Sequence, residues 1–416
     1  MSITTARPRL AIFASHPTQY QAPVFRALAE RPDVDPTVLF GSDHGARESY
    51  DSGFGQTVRW DIPLVDGYRH EFLRNTARRK DVNSFTGISV PGVRERITRE
   101  SFDAALIMGW QTRGHVQAIL AARHARIPTL LLGDSTLEMR PAKQWKAWLR
   151  AVAWLPARQM IYSSFLERID GVLTVGSRNE AYFRSFGVSN ERMFRAGHAV
   201  ENERFGLNPA AKALARSDIR SELGFAASDF VFISVAKLQD RKRPFDLLDA
   251  FGEAAAVRPE AALVYVGDGP LRQELAAAVR QRHLEDRVRI AGFVNQADLP
   301  RWYAAADCMV LPSDSRETWG LAVNEALASG MPVIVSDAVG CAPDLVIDGQ
   351  NGKVFTFGDA AALSRAMVWT AGLSPEARSQ MAQVAVASVA DYAPSRVAER
   401  IAESICKVIA QQQADR

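Results

Sequence analysis

Short apolar runs recur through the chain, at residues 10–15, 37–40, 103–108, 129–132, 171–176, 230–236, 262–266, 288–291, 307–311 and 331–336. Most are apolar on both alternate positions, which predicts buried parallel strands rather than strands with one wet face. Between them the apolar spacing becomes helical. Helices are predicted over residues 24–30, 114–124, 359–370, 375–390 and 396–411, with further starts near 177, 298 and 320. Ser177-Arg178-Asn179-Glu180 reads as a capping box. Polar or glycine-bearing turns come after the strands, and ligands of open α/β sheets bind at such carboxyl ends.

Composition narrows the picture. A chain of 416 residues predicts two or three domains of roughly 150 residues each. Its 50 basic and 47 acidic residues leave a net charge of +3, which argues against nucleic-acid binding driven by bulk charge. Cys308, Cys341 and Cys406 are scattered and odd in number, so no disulfide framework is expected and a reducing cytoplasm fits. The N-terminal apolar run is short for a secretory signal, and no window approaches the ~20 apolar residues of a membrane span.

Residues 311–352 carry the densest information. A polar run, Ser313-Asp314-Ser315-Arg316, leads to Glu317, and a helix starts at about Gly320. That helix carries Glu325 and stops at Gly330, before the strand Met331-Pro332-Val333-Ile334-Val335-Ser336. The first amides of a helix are unpaired and its dipole favours an anion there. Gly320 has no side chain to block a diphosphate. Glu317 and Glu325 cannot bind phosphate, but they accept hydrogen bonds from hydroxyls. A diphosphate between two hydroxyl-bearing rings is a nucleotide sugar. The plainer alternative is an ordinary helix–strand unit whose first acid complements the dipole.

Glu317 and Glu325, then Gly330-Met331-Pro332, then Gly340, Asp348-Gly349 and Asn351-Gly352, resemble the donor signature of the retaining GT-B glycosyltransferases of family 4, also called group 1. Gly340-Cys341-Ala342-Pro343-Asp344 departs from the two glycines and glutamate usual there. The resemblance is best over residues 230–360 and weaker over 10–205. It implies an α/β GT-B fold of two Rossmann-like parallel-sheet domains facing a cleft. Residues 1–205 would bind the acceptor and 206–390 the donor, and 391–416 would form a helix packing back on the first domain. The implied reaction is metal-independent transfer of a hexose-type sugar from a UDP- or GDP-type donor, with no cofactor. The acceptor would be a glycan, a lipid-linked or a small-molecule hydroxyl.

The resemblance also assigns residues. Lys237 and Lys242 match the family's diphosphate-holding Arg and Lys, five residues apart, though a lysine in the first place replaces a bidentate grip by a point charge. Gly320 and Leu321 would add helix amides, Glu317 would take sugar hydroxyls, Glu325 ribose hydroxyls, and the backbone near Val294 the base. On the acceptor side the first turn has no glycine but offers His16, Gln19 and Tyr20, and Trp110 stands at the end of the strand 103–108. Gly133-Asp134 stands where the family commonly has a histidine near the reacting sugar. Asp134 is therefore a candidate contact to that sugar or the acceptor, its alternative being a helix N-cap. His198 reads as a loop histidine near the inter-domain linker.

Two basic features remain. Arg74, Arg78, Arg79 and Lys80 form either a solvated face or a contact for anionic lipid. Residues 139–167 mix Trp145, Trp148 and Trp154 with Lys and Arg, the composition of an interfacial helix or of a packing lid. The expected place is the cytoplasm, with peripheral contact to the inner membrane face. Two rivals stay open: a sugar-nucleotide epimerase, which turns over donor without acceptor, and a donor-binding subunit without transfer.

Overall fold

The computed structural model describes residues 7–51, 53–137, 160 and 162–414. Among them fifteen strands run, in chain order, β1 Arg9–Ala14, β2 Asp35–Phe40, β3 Ser49–Asp51, β4 Gln56–Val58, β5 His70–Phe72, β6 Ala104–Met108, β7 Thr129–Leu132, β8 Gly171–Thr174, β9 Met193–Arg195, β10 Phe230–Val235, β11 Ala261–Val266, β12 Val288–Gly292, β13 Cys308–Leu311, β14 Val333–Ser336 and β15 Gly352–Phe355. The chain divides into two units. One holds residues 1–49, 63–199 and 394–416, the other 50–62 and 200–393.

The first unit is a seven-stranded sheet in the order β5-β2-β1-β6-β7-β8-β9, with every pair parallel. Parallel strands need crossovers, and helices on both faces supply them. The alternation of β1 shows why both faces are apolar. Leu10, Ile12 and Ala14 face a core with Val24, Phe25 and Leu28, while Ala11 and Phe13 face another with Val93, Ile97 and Ile119. The helix Pro394–Ala414 closes the first of these cores through Val397, Ile401, Ile405 and Val408.

The second unit has six parallel strands in the order β12-β11-β10-β13-β14-β15. Its core joins β10, β11 and β13 to the helices Pro244–Val257 and Ala360–Ala371. In each sheet the strand order reverses beside the first strand, between β1 and β6 and between β10 and β13. Ligands of such sheets bind outside the carboxyl ends at this switch point.

Several expectations shift. The segment 50–62, read as part of the first domain, belongs to the second unit, which begins at Val200 rather than 206. The last helix, expected from 396 and with its domain from 391, starts at Pro394 and is grouped with the first unit. The capping box at Ser177 does not form. Ser177 is already helical after Gly176, and Glu180 pairs instead with Arg184 and Arg195. Most of residues 139–167, with their three tryptophans, lie outside the described residues. Among the described residues no helix is long and apolar enough to cross a membrane.

Candidate functional site

In the second unit the switch point joins the loops after β10 and β13. They are tied backbone to backbone, Asp314 N–H donating to the Arg241 carbonyl at 2.9 Å. This tie brings residues 75 apart in sequence into contact. The Lys242 ammonium donates to a Glu317 carboxylate oxygen, and the Arg241 guanidinium stands 3.6 Å from the same oxygen. Both partners are nearly buried, with side chains 12% and 11% exposed. Arg316 reinforces the junction by pairing with Asp240 and Asp314.

Gly320 caps the helix Leu321–Ala328 at φ 97°, in the left-handed region that glycine enters at no steric cost. The loop after β14 crosses beneath it. Gly340 N–H donates to the Glu317 carbonyl and Cys341 N–H to the Trp319 carbonyl, both at 2.9 Å. A Cβ on Gly340 would lie 1.8 Å from the Thr318 carbonyl oxygen, so only glycine permits the crossing. Glu325 is 1% exposed, and one of its oxygens accepts from the Tyr303 hydroxyl at 2.8 Å. Expected at the ribose, it is held inside this helix–helix contact. Val294 is half-buried just beyond β12, beside Phe293.

Lys237, at the end of β10, faces Asp51 of the 50–62 segment at 2.8 and 2.9 Å. The same ammonium lies 4.4 Å from the Phe54 ring centroid. Burial opposes ionisation of Asp51, but the Lys237 hydrogen bond and charge outweigh it, helped by the amides of Phe54 and Gly53. Together they hold its carboxyl below the usual range. Lys237 and Lys242, expected to be available to a diphosphate, are thus each engaged by a carboxylate in this structure.

The first unit carries the other candidates at its own switch point. His16 comes just after β1, its Nδ1 2.9 Å from the Ser15 hydroxyl and its ring 5.4 Å from that of His44. Gln19 and Tyr20 are half-buried in the same turn. The Tyr20 ring meets His198 edge-on at 6.4 Å, and Asp134 acts electrostatically on that imidazole. Burial lowers the His198 pKa while Asp134 opposes the shift. His198, read as an ordinary loop histidine, therefore joins Tyr20 and Asp134. Residues 133–137 are not helical, so among the described residues Asp134 caps no helix.

Trp110, expected at the acceptor, is half-buried after β6. Its ring sits 5.1–6.2 Å from those of Tyr162, Phe165, Tyr182 and Phe183, in packing that continues the core. The turn it occupies is fixed by a buried histidine that sequence reading passed over. His115 Nε2 lies 3.1 Å from the Met108 carbonyl, and its Nδ1 accepts from the Thr112 amide at 3.2 Å. These partners assign the neutral tautomer protonated on Nε2. Burial drives its pKa down to about 4. The Thr112-x-x-His115 spacing at a helix start was the signal available.

Residues 215–385 match the family described as glycosyl transferases group 1. The chain is 34% identical over 138 residues to an alpha-monoglucosyldiacylglycerol synthase of Acholeplasma laidlawii, covering 33% of this chain and 34% of that one. It is 27% identical over 261 residues to the putative glycosyltransferase EpsD of Bacillus subtilis, covering 61% and 63%. The chain thus spans about a third of the first relative and under two thirds of the second. Among solved structures, Anabaena Alr3699/HepE in complex with UDP and glucose superposes with a TM-score of 0.70 at 20% identity, over 96% of this chain and all of that one. A glycosyltransferase from Rickettsia africae superposes at 0.73 and 11% identity, over 97% and 99%. Residues 215–385 are thus similar to the group 1 glycosyltransferases, and the two parallel-sheet units have the GT-B fold.

Proposed function

We propose that the protein is a retaining glycosyltransferase that moves a hexose-type sugar from a UDP- or GDP-type donor to an acceptor hydroxyl. One observation carries the reading: Lys237, Lys242, Glu317 and the Gly320 helix start all stand at the switch point of the second unit's sheet. Cations and unpaired helix amides suit a diphosphate, and a carboxylate beside them suits sugar hydroxyls. The HepE structure, which holds UDP and glucose on the same fold, supports a nucleotide-sugar donor.

In the reaction the bond from the sugar's anomeric carbon to the diphosphate oxygen breaks. The bond from that carbon to the acceptor oxygen forms on the same face, and the acceptor's proton passes to the departing diphosphate. Lys237 and Lys242 stabilise the charge that develops on the leaving oxygen, and the Gly320 and Leu321 amides add to them. Prearranged charge of this kind is commonly the largest catalytic term. Glu317 orients the sugar. The lysines serve as the leaving group's counter-ions, so the proposal includes no divalent metal and no cofactor.

The acceptor is a glycan, a lipid-linked or a small-molecule hydroxyl met by His16, Gln19, Tyr20 and Asp134, in glycoconjugate assembly at the inner membrane face. Incubation with UDP- and GDP-hexoses and a panel of such acceptors tests this. Transfer should give a product whose anomeric configuration, read by NMR, matches the donor's. An inverted product, donor turnover without acceptor, or activity lost to EDTA and restored by a divalent cation would each overturn the corresponding part.

A further inference from the structure

We propose that Asp51 is the resident counter-ion of the diphosphate site, holding Lys237 in the donor-free protein and yielding it when a nucleoside diphosphate arrives. The inference rests on the donor-site reading above. It starts from an excursion in the chain. Residues 50–62 leave the first unit's sequence and return to it, yet they are grouped with the second.

The attachment is extensive. Gln239 donates to the Gly53 carbonyl at 3.2 Å, Asn295 to the Arg59 carbonyl at 2.7 Å, and the Ala297 amide to Asp61 at 3.0 Å. Phe54 and Trp60 lie against Phe293, at 4.8 and 6.2 Å between ring centroids. These contacts bracket the loop after β10, which bears the lysines, and the turn after β12, which bears Val294. The segment therefore delivers one carboxylate onto one of the two cations assigned to the leaving group.

Asp51 is built for that place. One of its oxygens also accepts from the Gly53 and Phe54 amides, at 2.8 and 3.1 Å, which fixes the carboxylate independently of Lys237. A carboxylate and a diphosphate oxygen compete for the same ammonium, and like charges at this range repel. This has two effects. Lys237 is kept extended over Phe54 rather than free to swing, and donor affinity is reduced by the energy of the pair that must be exchanged. Releasing the product diphosphate is assisted by the same carboxylate returning to Lys237.

Asp51→Asn separates these effects from folding. Asparagine keeps the volume and an oxygen that accepts from the two amides, and the other attachments of the segment are untouched. Titrating UDP and GDP into the parent and into Asp51→Asn by calorimetry, the variant should bind about tenfold more tightly, as expected for removing one partly buried like charge. In the Lys237→Met background the same substitution should give a smaller gain, because the ion pair to be exchanged is gone and only the direct repulsion between Asp51 and the diphosphate is relieved. Equal or weaker binding by Asp51→Asn, with the parent binding normally, overturns the inference and leaves the donor reading standing. A parent that binds neither UDP nor GDP overturns the donor reading, and this inference with it.

Discussion

The Lys242–Glu317 pair allows catalysis and stability to be separated. Both side chains are nearly buried, so removing the lysine strands a carboxylate in a poorly solvated place. Breaking a buried pair by deleting one partner costs about 3–5 kcal/mol. Arg241, 3.6 Å from the same Glu317 oxygen and a third exposed, offsets part of that. Lys242→Ala should therefore destabilise the second unit by roughly 2–3 kcal/mol. It should also lower transfer by about 10²–10³-fold, the usual effect of losing one stabilising group at a developing charge. Because the two units need not unfold together, peptide-resolved hydrogen exchange across β10 and β13 is the suitable assay. The double variant Lys242→Met, Glu317→Gln removes both charges at similar volume and should regain most of the protection without regaining transfer. A single variant as protected as the parent, or a double variant no better than the single, would refute the reasoning.

The remaining predictions concern the two switch points. Gly340→Ala puts a Cβ 1.8 Å from a backbone oxygen, where no side chain can give way, so a loss of about 3 kcal/mol or more is expected. A melting temperature equal to the parent's would sink that account. His115 is neutral in the fold, with its pKa lowered from 6.5 to about 4. Its contribution is complete above about pH 6.5 and is lost progressively as pH falls to about 4, because the unfolded chain takes up the proton first. At about 1.4 kcal/mol per tenfold change in proton affinity, the full loss is roughly 3 kcal/mol. An NMR titration, with the ring signal assigned by its absence in His115→Gln, should show no protonation near pH 6. Titration at 6.5 would contradict the burial argument.

The donor side was largely legible because its parts are consecutive. Glu317, Gly320, Glu325 and Gly340 fall within one helix–strand unit, and the lysines end the strand next to it. Charge, glycine and helix-start signals are local, so a local reading finds them. Asp51 was not legible, since it meets Lys237 across 186 residues through a segment whose Gly-rich composition says only that it turns. The packing of Trp110 was not legible for the same reason. Its aromatic partners lie at positions 162 to 183, and nothing near residue 110 announces them. His198 looked ordinary because Tyr20 and Asp134 reach it from the ends of other strands. Parallel sheets make this failure systematic, because each switch point gathers strand ends that are far apart in the chain.

The helix Pro394–Ala414 has a bearing on how the protein is made. Synthesis delivers residues 200–393, the bulk of the second unit, before Val397, Ile401, Ile405 and Val408 exist to cover Leu10, Ile12 and Phe25. Domains generally fold in the order they emerge from the ribosome, but here the earlier-made unit must wait with one face of its sheet uncovered. The second unit is the better placed to mature first. A nascent chain arrested before residue 394 should carry an exposed apolar face, the kind of surface on which chaperones act.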